Sequence, residues 1–346
     1  MGRTIRWGVL GSGGIARRRT IPEGILRSAD NELVAVYSRN LTHNAAVADE
    51  FGCRPAASVE ELLQLGVDAV YIASPPAAHL EQVQACAQAG IHVLCEKPLG
   101  LTVADAEALL AVCRHAGVRL GTAFMMRFSA QHQEAATMVR EGKLGRMVLG
   151  RAQLSCWYPP IPGAWRQDPE TGGGGSLIDM GGHCIDLLEF FLGPVETVSC
   201  LVQQRVHDYP VEDSAIVSLR FRDGALGMVD TFFCIPDEAS RNRLELYGTQ
   251  GSLLAEGTIG QEASGTMVAT LAPSAGSYDA LQARGTPQAV LVRPPPVNTY
   301  QAEIEAFAQA IREGRDPEPS GEAGVRSQRV IAACYESAAT GRTIRV

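Results

Sequence analysis

The chain has 346 residues, 46% hydrophobic and 20% charged, with a formal net charge of −8; that length exceeds one ordinary hydrophobic core and predicts two domains. The acidic balance argues against nucleic acid or an anionic membrane as the main partner, while leaving room for one basic site that takes a phosphate-bearing ligand. The nine cysteines form no C-x-x-C pair and mostly sit in apolar runs, so they read as reduced, buried thiols of a cytoplasmic protein; no run reaches the ~18 apolar residues of a membrane span, and no leader pattern precedes the first strand.

Residues 4–10 form an apolar strand, 11–16 a glycine-rich turn, and a helix follows to about residue 27. Strands are predicted at 32–37, 69–73, 91–95 and 119–123, with helices at 45–51, 59–65, 79–89 and 102–116 between them. Apolar strands alternating with helices predict a doubly wound parallel sheet covered on both faces, a Rossmann domain over residues 1–125. Past residue 145 the pattern changes. Strands at 147–157, 195–206, 214–221, 225–234, 241–247 and 252–256 are joined by short turns such as Arg222-Asp223-Gly224, a hairpin signal. Val217, Leu219 and Phe221 alternate with Ser218 and Arg220, as in a strand with one buried face. The second domain, 126–346, therefore reads as α/β with a large, open, mainly antiparallel sheet. Residues 257–296, rich in Gly, Ala, Ser and Pro, are expected to be loops. Helices at 303–312 and 325–339 close the chain, and this 300–340 region is expected to pack back on the first domain.

Gly11-Ser12-Gly13-Gly14-Ile15-Ala16 matches G-x-G-x-x-G/A between a strand and a helix. The first glycine permits the tight turn, the second lets backbone approach a pyrophosphate, and Ala16 allows close helix–strand packing. Free N–H groups and the dipole at the helix start favour an anion there. A nicotinamide dinucleotide is the expected cofactor. An NAD site usually places an acid at the end of the second strand; here stand Ser38, Arg39 and Asn40. A hydroxyl and a guanidinium suit a 2′-phosphate, which predicts NADP, with NAD the alternative if Arg39 is only solvated. Arg17 and Arg18 read as the exposed side of the first helix. Ser74, Pro75 and His79 follow the third main strand, at the sheet edge where ligands bind, and are expected beside the cofactor. Glu96-Lys97-Pro98 ends the next strand.

The stretch 174–186 (GGSLIDMGGHCID) carries the other chemical signal. Read as one helix, it puts Asp179, His183 and Asp186 at i, i+4 and i+7, on one face. Ser176 and Asp179 have the spacing of a capping box, and Gly193-Pro194 stops the helix. Asp179 as a mere cap partner is the competing reading. A metal site from Asp179, His183, Cys184 and Asp186 is disfavoured, because only one histidine is at hand and Cys184 points about 100° away from it; no metal is expected.

With GSGGIA (11–16), SPPAAH (74–79), GIHVLCEKP (90–98) and DMGGHCID (179–186), the chain resembles the Gfo/Idh/MocA family, named for glucose–fructose oxidoreductase and inositol 2-dehydrogenase, over nearly its whole length. WRQDPETGGG (165–174) is similar to that family's approach to its catalytic helix. The resemblance implies a catalytic set of Lys97, Asp179 and His183, with Asp186 as a substrate contact, a cis bond before Pro98, and a sheet that forms homodimers or homotetramers. It also implies hydride transfer between a nicotinamide and a sugar, sugar derivative or cyclitol, a small polyhydroxylated substrate.

The chemistry of the residues agrees. Oxidising a secondary alcohol needs a base for the hydroxyl proton, and His183 carries an imidazole, a group whose ordinary pKa lies near neutrality. Lys97 at the ligand edge can hydrogen-bond the reacting oxygen, Asp179 can orient the imidazole or substrate, and Glu96 can hold Lys97 or contact the cofactor. Trp157, Tyr158, Trp165 and Arg166 are candidate pocket walls, with a plain hydrophobic corner as the alternative. Residues 124–128 (FMMRF) either line the nicotinamide or belong to linker core. A dihydrodiol or another small carbonyl compound as substrate, and a non-catalytic dinucleotide-binding regulator, are the competing functions.

Overall fold

The computed structural model describes residues 3–262, 264–272, 280 and 288–346. In chain order the elements are β1 (Ile5–Leu10), a π-helix (Ala16–Ile25), β2 (Asn31–Tyr37), α1 (Leu41–Phe51), β3 (Arg54–Pro55), α2 (Val59–Gln64), β4 (Ala69–Ile72), α3 (His79–Gln88), β5 (His92–Glu96), α4 (Val103–Ala116) and β6 (Leu120–Ala123). There follow α5 (Ala130–Arg140), β7 (Met147–Ser155), α6 (Pro169–Gly172), a π-turn (Leu177–Gly181), α7 (Gly182–Leu192), β8 (Val195–Gln203), β9 (Ser214–Phe221) and β10 (Leu226–Phe232). β11 (Arg243–Gly248), β12 (Gly251–Glu256), β13 (Thr266–Leu271), β14 (Gln288–Leu291), α8 (Thr299–Glu313), α9 (Gly321–Thr340) and β15 (Ile344–Arg345) complete the described residues.

The chain divides into two compact units. The first is Met1–Phe128 with Ile161–Gly175 and Asn298–Ala332; the second is Ser129–Pro160, Ser176–Val297 and Ala333–Val346. Beside the expected span 1–125, the first unit thus holds two returns of the chain: 161–175, and the longer 298–332, which overlaps the 300–340 region expected to pack back on it. The reason for the longer return is packing. Phe307 of α8 sits against Trp7 at 5.7 Å between ring centroids, and a Cβ on Gly24 would meet Ile304 at 3.0 Å.

The sheet of the first unit has the order β3-β2-β1-β4-β5-β6, and all its strand pairs are parallel. Its two faces bury separate clusters. Val70, Val93 and Cys95 pack with α3 and α4 residues such as Val83 and Leu109, while Trp7, Tyr71 and Leu94 pack with Ile21 and Ile304. This order places strand reversal between β1 and β4, where dinucleotides bind in such sheets. The helix after the glycine turn is π-helical and contains Pro22, a residue that has no N–H to give to the α-helical ladder.

The sheet of the second unit has the order β14-β13-β12-β11-β7-β10-β9-β8-β15. Its described pairs are antiparallel except β10 with β7, which is parallel. Val217, Leu219 and Phe221 are buried, and Leu188 and Leu192 of α7 lie where a side chain on Gly150 of β7 would stand. The opposite face leaves Leu201 (74% exposed), Ile216, Leu226 and Leu254 uncovered. Among them Gln153 donates to Asp230 at 2.6 Å, and Arg151 lies 3.6 Å from Glu245.

Three local expectations are corrected. Residues 266–271 and 288–291 are strands, not loop. Met267 and Ala269 are buried in alternation, so a short apolar run with two inward side chains makes a strand inside a segment rich in Gly, Ala, Ser and Pro; residues 263, 273–279 and 281–287 of the expected loop lie outside the described residues. The stretch 174–186 is not one α-helix: it starts at Leu177 with a π-turn, closed by Gly182 N–H donating to Leu177 O. Ser176 makes no capping bond, and its hydroxyl donates instead to Thr231 O at 3.2 Å. All nine cysteines are free thiols.

Candidate active site

In the first unit the glycine turn is held by its neighbours. Gly11 has φ +85°, and a Cβ there would stand 2.4 Å from Ser74 N. Only glycine lets the end of β1 pass this close to the end of β4. Gly11 N–H donates to Tyr37 O at 2.8 Å. The Ser12 hydroxyl, expected near the cofactor, is buried and donates to Asn44 Oδ1 at 3.0 Å; Asn44 in turn donates to Val36 O and Ala56 O. Ser12 therefore fixes the loop with its side chain and leaves only backbone for a ligand. Gly13 and Ile15 are half-buried and Gly14, at φ +46°, is exposed. Ala16 is buried under the helix start. That start has no side-chain cap and no acid in its first turn, so its N–H groups and positive dipole end remain available to an anion.

Ser38 donates to Asn40 O at 3.2 Å, and Asn40 caps α1 by accepting His43 N–H at 3.0 Å. Arg39 is exposed. Arg17 pairs with Glu50 at 2.7 Å and Arg18 donates to Gly14 O. His43, which the sequence reading passes over, lies 3.5 Å from where a Gly13 Cβ would be. It joins Arg39 at the same end of the turn, and its signal is its place in the first turn of the helix after β2.

At the ends of β4 and β5 the residues meet. Ser74 donates its hydroxyl to Gln82 at 2.6 Å. His79, expected to contact the cofactor, is fully buried, with Nδ1 3.1 Å from Leu99 O and Nε2 2.9 Å from Ser74 O. Its ring is spent on backbone and offers nothing to a ligand. Glu96 accepts the Tyr71 hydroxyl. Burial pushes the Glu96 carboxyl above its ordinary range, and Lys97, Tyr71 and Arg166 pull it back only in part. Glu96 is half-buried by surface area and keeps one oxygen on the Tyr71 hydroxyl. The Lys97–Pro98 bond is cis. Lys97 is half-buried, and it is one of two lysines beside 28 arginines. In a chain that otherwise uses arginine, this edge carries the compact, rotatable ammonium.

Trp165 and Arg166 belong to this first unit, not to the second as expected. The Arg166 guanidinium stacks 4.2 Å from the Trp165 ring, and its charge reaches Glu96. A Cβ on Gly172 would meet Trp165 O at 2.5 Å, so the glycines of this segment let it fold back tightly on itself. Residues 124–127 are buried around a short 3-10 turn, Met125–Phe128, and Phe128 is half-buried.

In the second unit Asp179 stands in the π-turn and His183 in the first turn of α7; both are half-buried. Asp186, expected as a substrate contact, is 1% exposed. A Cβ on Gly181 would lie 3.0 Å from Leu177 Cδ1, so glycine makes room for the wide turn. π-turns inside helices recur at functional sites. The helix start is closed by Glu212, a residue with no signal in the local sequence. Its carboxylate accepts Leu177 N–H and the Tyr335 hydroxyl, each at 2.9 Å, and its carbonyl accepts Ser176 N–H. Trp157 and Tyr158 form an aromatic cluster: Trp157 meets His207 edge-on at 5.0 Å, Tyr158 lies 5.0 Å from Phe233, and the Tyr209 hydroxyl donates to Tyr158 O. Among the described residues no group of three His, Cys, Asp or Glu side chains is placed to hold a metal ion.

Two sequence families cover most of this geometry. Residues 5–124 match the one described as "Oxidoreductase family, NAD-binding Rossmann fold", and residues 132–254 match the "GFO/IDH/MocA C-terminal domain". The chain belongs to the Gfo/Idh/MocA oxidoreductase family. It is 33% identical to 1,5-anhydro-D-fructose reductase of Ensifer adhaerens, over 99% of this chain and 98% of that one. It is 32% identical to D-xylose 1-dehydrogenase (NADP(+)) 2 of Haloferax volcanii, over 98% and 99%. Its fold is similar to aldose-aldose oxidoreductase from Caulobacter crescentus complexed with glycerol, with a TM-score of 0.88 and 26% identity over 99% and 100% of the two chains. The protein is thus an oxidoreductase with a Rossmann nucleotide-binding unit, and no helix among its described residues is long and apolar enough to cross a membrane.

Proposed function

We propose that this oxidoreductase is NADP-dependent and interconverts a secondary alcohol and a ketone on a sugar, sugar derivative or cyclitol. The observation that carries the reading is similarity along the whole chain to a sugar reductase, together with an unbroken Lys97, Asp179 and His183 set. The Rossmann edge fits a dinucleotide, because the cradle at Gly11 is one that a Cβ would fill and the helix start behind it is uncapped. The nicotinamide, when bound, supplies the hydride acceptor or donor. Gly13, Gly14 and Ile15 would hold the pyrophosphate with backbone, Ser74 and Pro75 would flank the dinucleotide, and Ser38 and Arg39 would take the 2′-phosphate. The absence of an acid at the end of β2 supports NADP over NAD, as does the cofactor in the name of the Haloferax relative.

His183 exchanges the proton of the reacting hydroxyl. When the alcohol is oxidised its imidazole takes that proton as the hydride leaves the same carbon; in reduction it returns the proton to the forming hydroxyl. Lys97 hydrogen-bonds the reacting oxygen and steadies the charge that develops on it. Asp179, one turn before His183, orients the imidazole or a neighbouring hydroxyl. Arg166 on its Trp165 platform is placed as a substrate hydroxyl ligand. The open face around Leu201, Ile216 and Leu226 supports a homodimer or homotetramer through the large sheet. An activity screen over aldoses, ketoses, anhydro sugars, cyclitols and a dihydrodiol, with NADP and NADPH, tests the substrate class. Turnover confined to the dihydrodiol moves the substrate outside the sugars, and no turnover with bound cofactor favours a regulator.

A further inference from the structure

His79 is a polar ring in a fully buried position, and both of its nitrogens face backbone carbonyl oxygens. Nδ1 is 3.1 Å from Leu99 O and Nε2 is 2.9 Å from Ser74 O. The two acceptors belong to different loops. Ser74 follows β4 and stands beside Pro75; Leu99 follows β5, two residues beyond Lys97. A carbonyl oxygen only accepts and a neutral imidazole carries a single N–H, so the ring donates to one of the two carbonyls; in the tautomer protonated on Nδ1 it donates to Leu99 O, from a residue that itself opens α3 just after the β4 loop. A side chain kept only to fill space would bring no such demand into the interior.

The rest of each loop is anchored from elsewhere. On the β4 side, α3 also holds Ser74 through its hydroxyl, which donates to Gln82. On the β5 side, Leu99 is wedged where a Cβ on Gly324 would come within 2.5 Å of it, and a Cβ on Gly100 would lie 2.6 Å from Asp105 Cβ. These contacts fix the loop from Leu99 onward. Between the end of β5 and that anchor lie only Lys97 and Pro98, and the contact from α3 comes at their far end.

We infer that His79 is a positioning residue: its ring straps the loop carrying Lys97 to the loop carrying Ser74 and Pro75, and so sets where the Lys97 ammonium stands. The inference rests on the role given to Lys97 above and adds the element that fixes its place. His79 itself touches neither substrate nor cofactor. Burial lowers the pKa of its ring against the opposing carbonyls of Ser74, Leu99 and Pro98, which favours the neutral ring with one N–H to donate.

The chain's two lysines, Lys97 and Lys143, allow a test that needs no substrate. The intact protein is labelled with limiting acetic anhydride, and acetylation at Lys97 relative to Lys143 is read by peptide mass spectrometry. His79→Ala should change that ratio several-fold and lower kcat by about ten- to a hundred-fold, as expected for a misplaced catalytic group, with a smaller change in KM for the sugar substrate. His79→Asn and His79→Gln each keep one donor and should fall between wild type and His79→Ala in both readouts. They decide the matter if the alanine variant does not fold. A wild-type ratio and a wild-type kcat in the variants, with loss only in thermal stability, would reduce His79 to a packing residue and overturn the inference. If the wild type turns over no polyhydroxylated substrate, the function proposed above fails, while the labelling ratio still decides whether the strap exists.

Discussion

Two helices in this molecule begin alike and end up with different tasks. The first, Ala16–Ile25, follows three glycines and is π-helical; the second opens with the π-turn Leu177–Gly181 after four glycines. Neither has a side-chain cap from its own N-cap residue. The first keeps its start open, with no acid in the first turn and Gly14 exposed before it. The start of the second is closed by Glu212, which accepts both Ser176 N–H and Leu177 N–H, and an acid, Asp179, stands in its first turn. A carboxylate at a helix start uses up the positive end that an anion would need. The first helix is therefore built to receive a phosphate with backbone, and the second to present side chains, Asp179 and His183. Glycine runs alone do not tell these apart; the partner of the N–H groups does.

The sharpest way to break the comparison is to remove the side chains on which the second helix and the β5 edge depend. His183→Ala and Lys97→Ala should each lower kcat by about 10²–10⁴-fold, the usual worth of general acid–base catalysis, while a fluorescence titration still shows cofactor binding. Wild-type rates in both would remove these residues from the chemistry. Gly11→Ala attacks the first helix's approach. Its Cβ would meet Ser74 N at 2.4 Å in a left-handed backbone, so we expect a stability loss of more than about 1 kcal/mol by chemical denaturation together with weakened cofactor binding.

Glu212→Ala sharpens the contrast from the other side. It strips partners from Leu177 N–H and the Tyr335 hydroxyl, and leaving buried donors unpaired costs about 1–3 kcal/mol. The loss should appear in chemical denaturation with cofactor affinity intact. A loss of cofactor affinity equal to the loss of stability would contradict the division of labour between the helices. Arg39→Ala should weaken NADPH binding by about tenfold, the scale of one charge-assisted contact, and leave NADH binding unchanged. The smallest effect concerns Glu96, whose carboxyl burial holds above the ordinary value of 4.5. The folded state keeps that proton longer than the unfolded chain does, so Glu96 subtracts stability as pH rises from about 4.5 toward its folded pKa. Glu96→Gln should flatten the fall of melting temperature with pH over that window.

The sheets, the Rossmann turn and the family were legible because each rests on a short-range pattern: apolar runs in β1 and β4, alternation in β9, glycines at fixed spacing. What the sequence hid is long-range or register-dependent. Glu212 is remote along the chain from the helix it closes, so no capping rule reaches it. A π-turn adds one residue to a turn without changing composition, and the apparent box of Ser176 and Asp179 concealed it. Trp165 and Arg166 read as part of the second domain because they follow β7, yet they fold with the first unit. His79 and Ser12 carry polar groups near a ligand edge and read as ligands, but burial commits both to the protein's own backbone and side chains. Whether a polar residue near a site faces in or out is decided by packing that a linear pattern does not contain.

The measurement that bears most directly on the account is a pair of fluorescence titrations of the purified protein, one with NADPH and one with NADH. Saturable binding with NADPH preferred, and the preference lost in Arg39→Ala, is the predicted result. Preference for NADH would contradict the reading of Ser38 and Arg39, and failure of either to bind a protein free of cofactor would contradict the claim that the open helix start receives a dinucleotide.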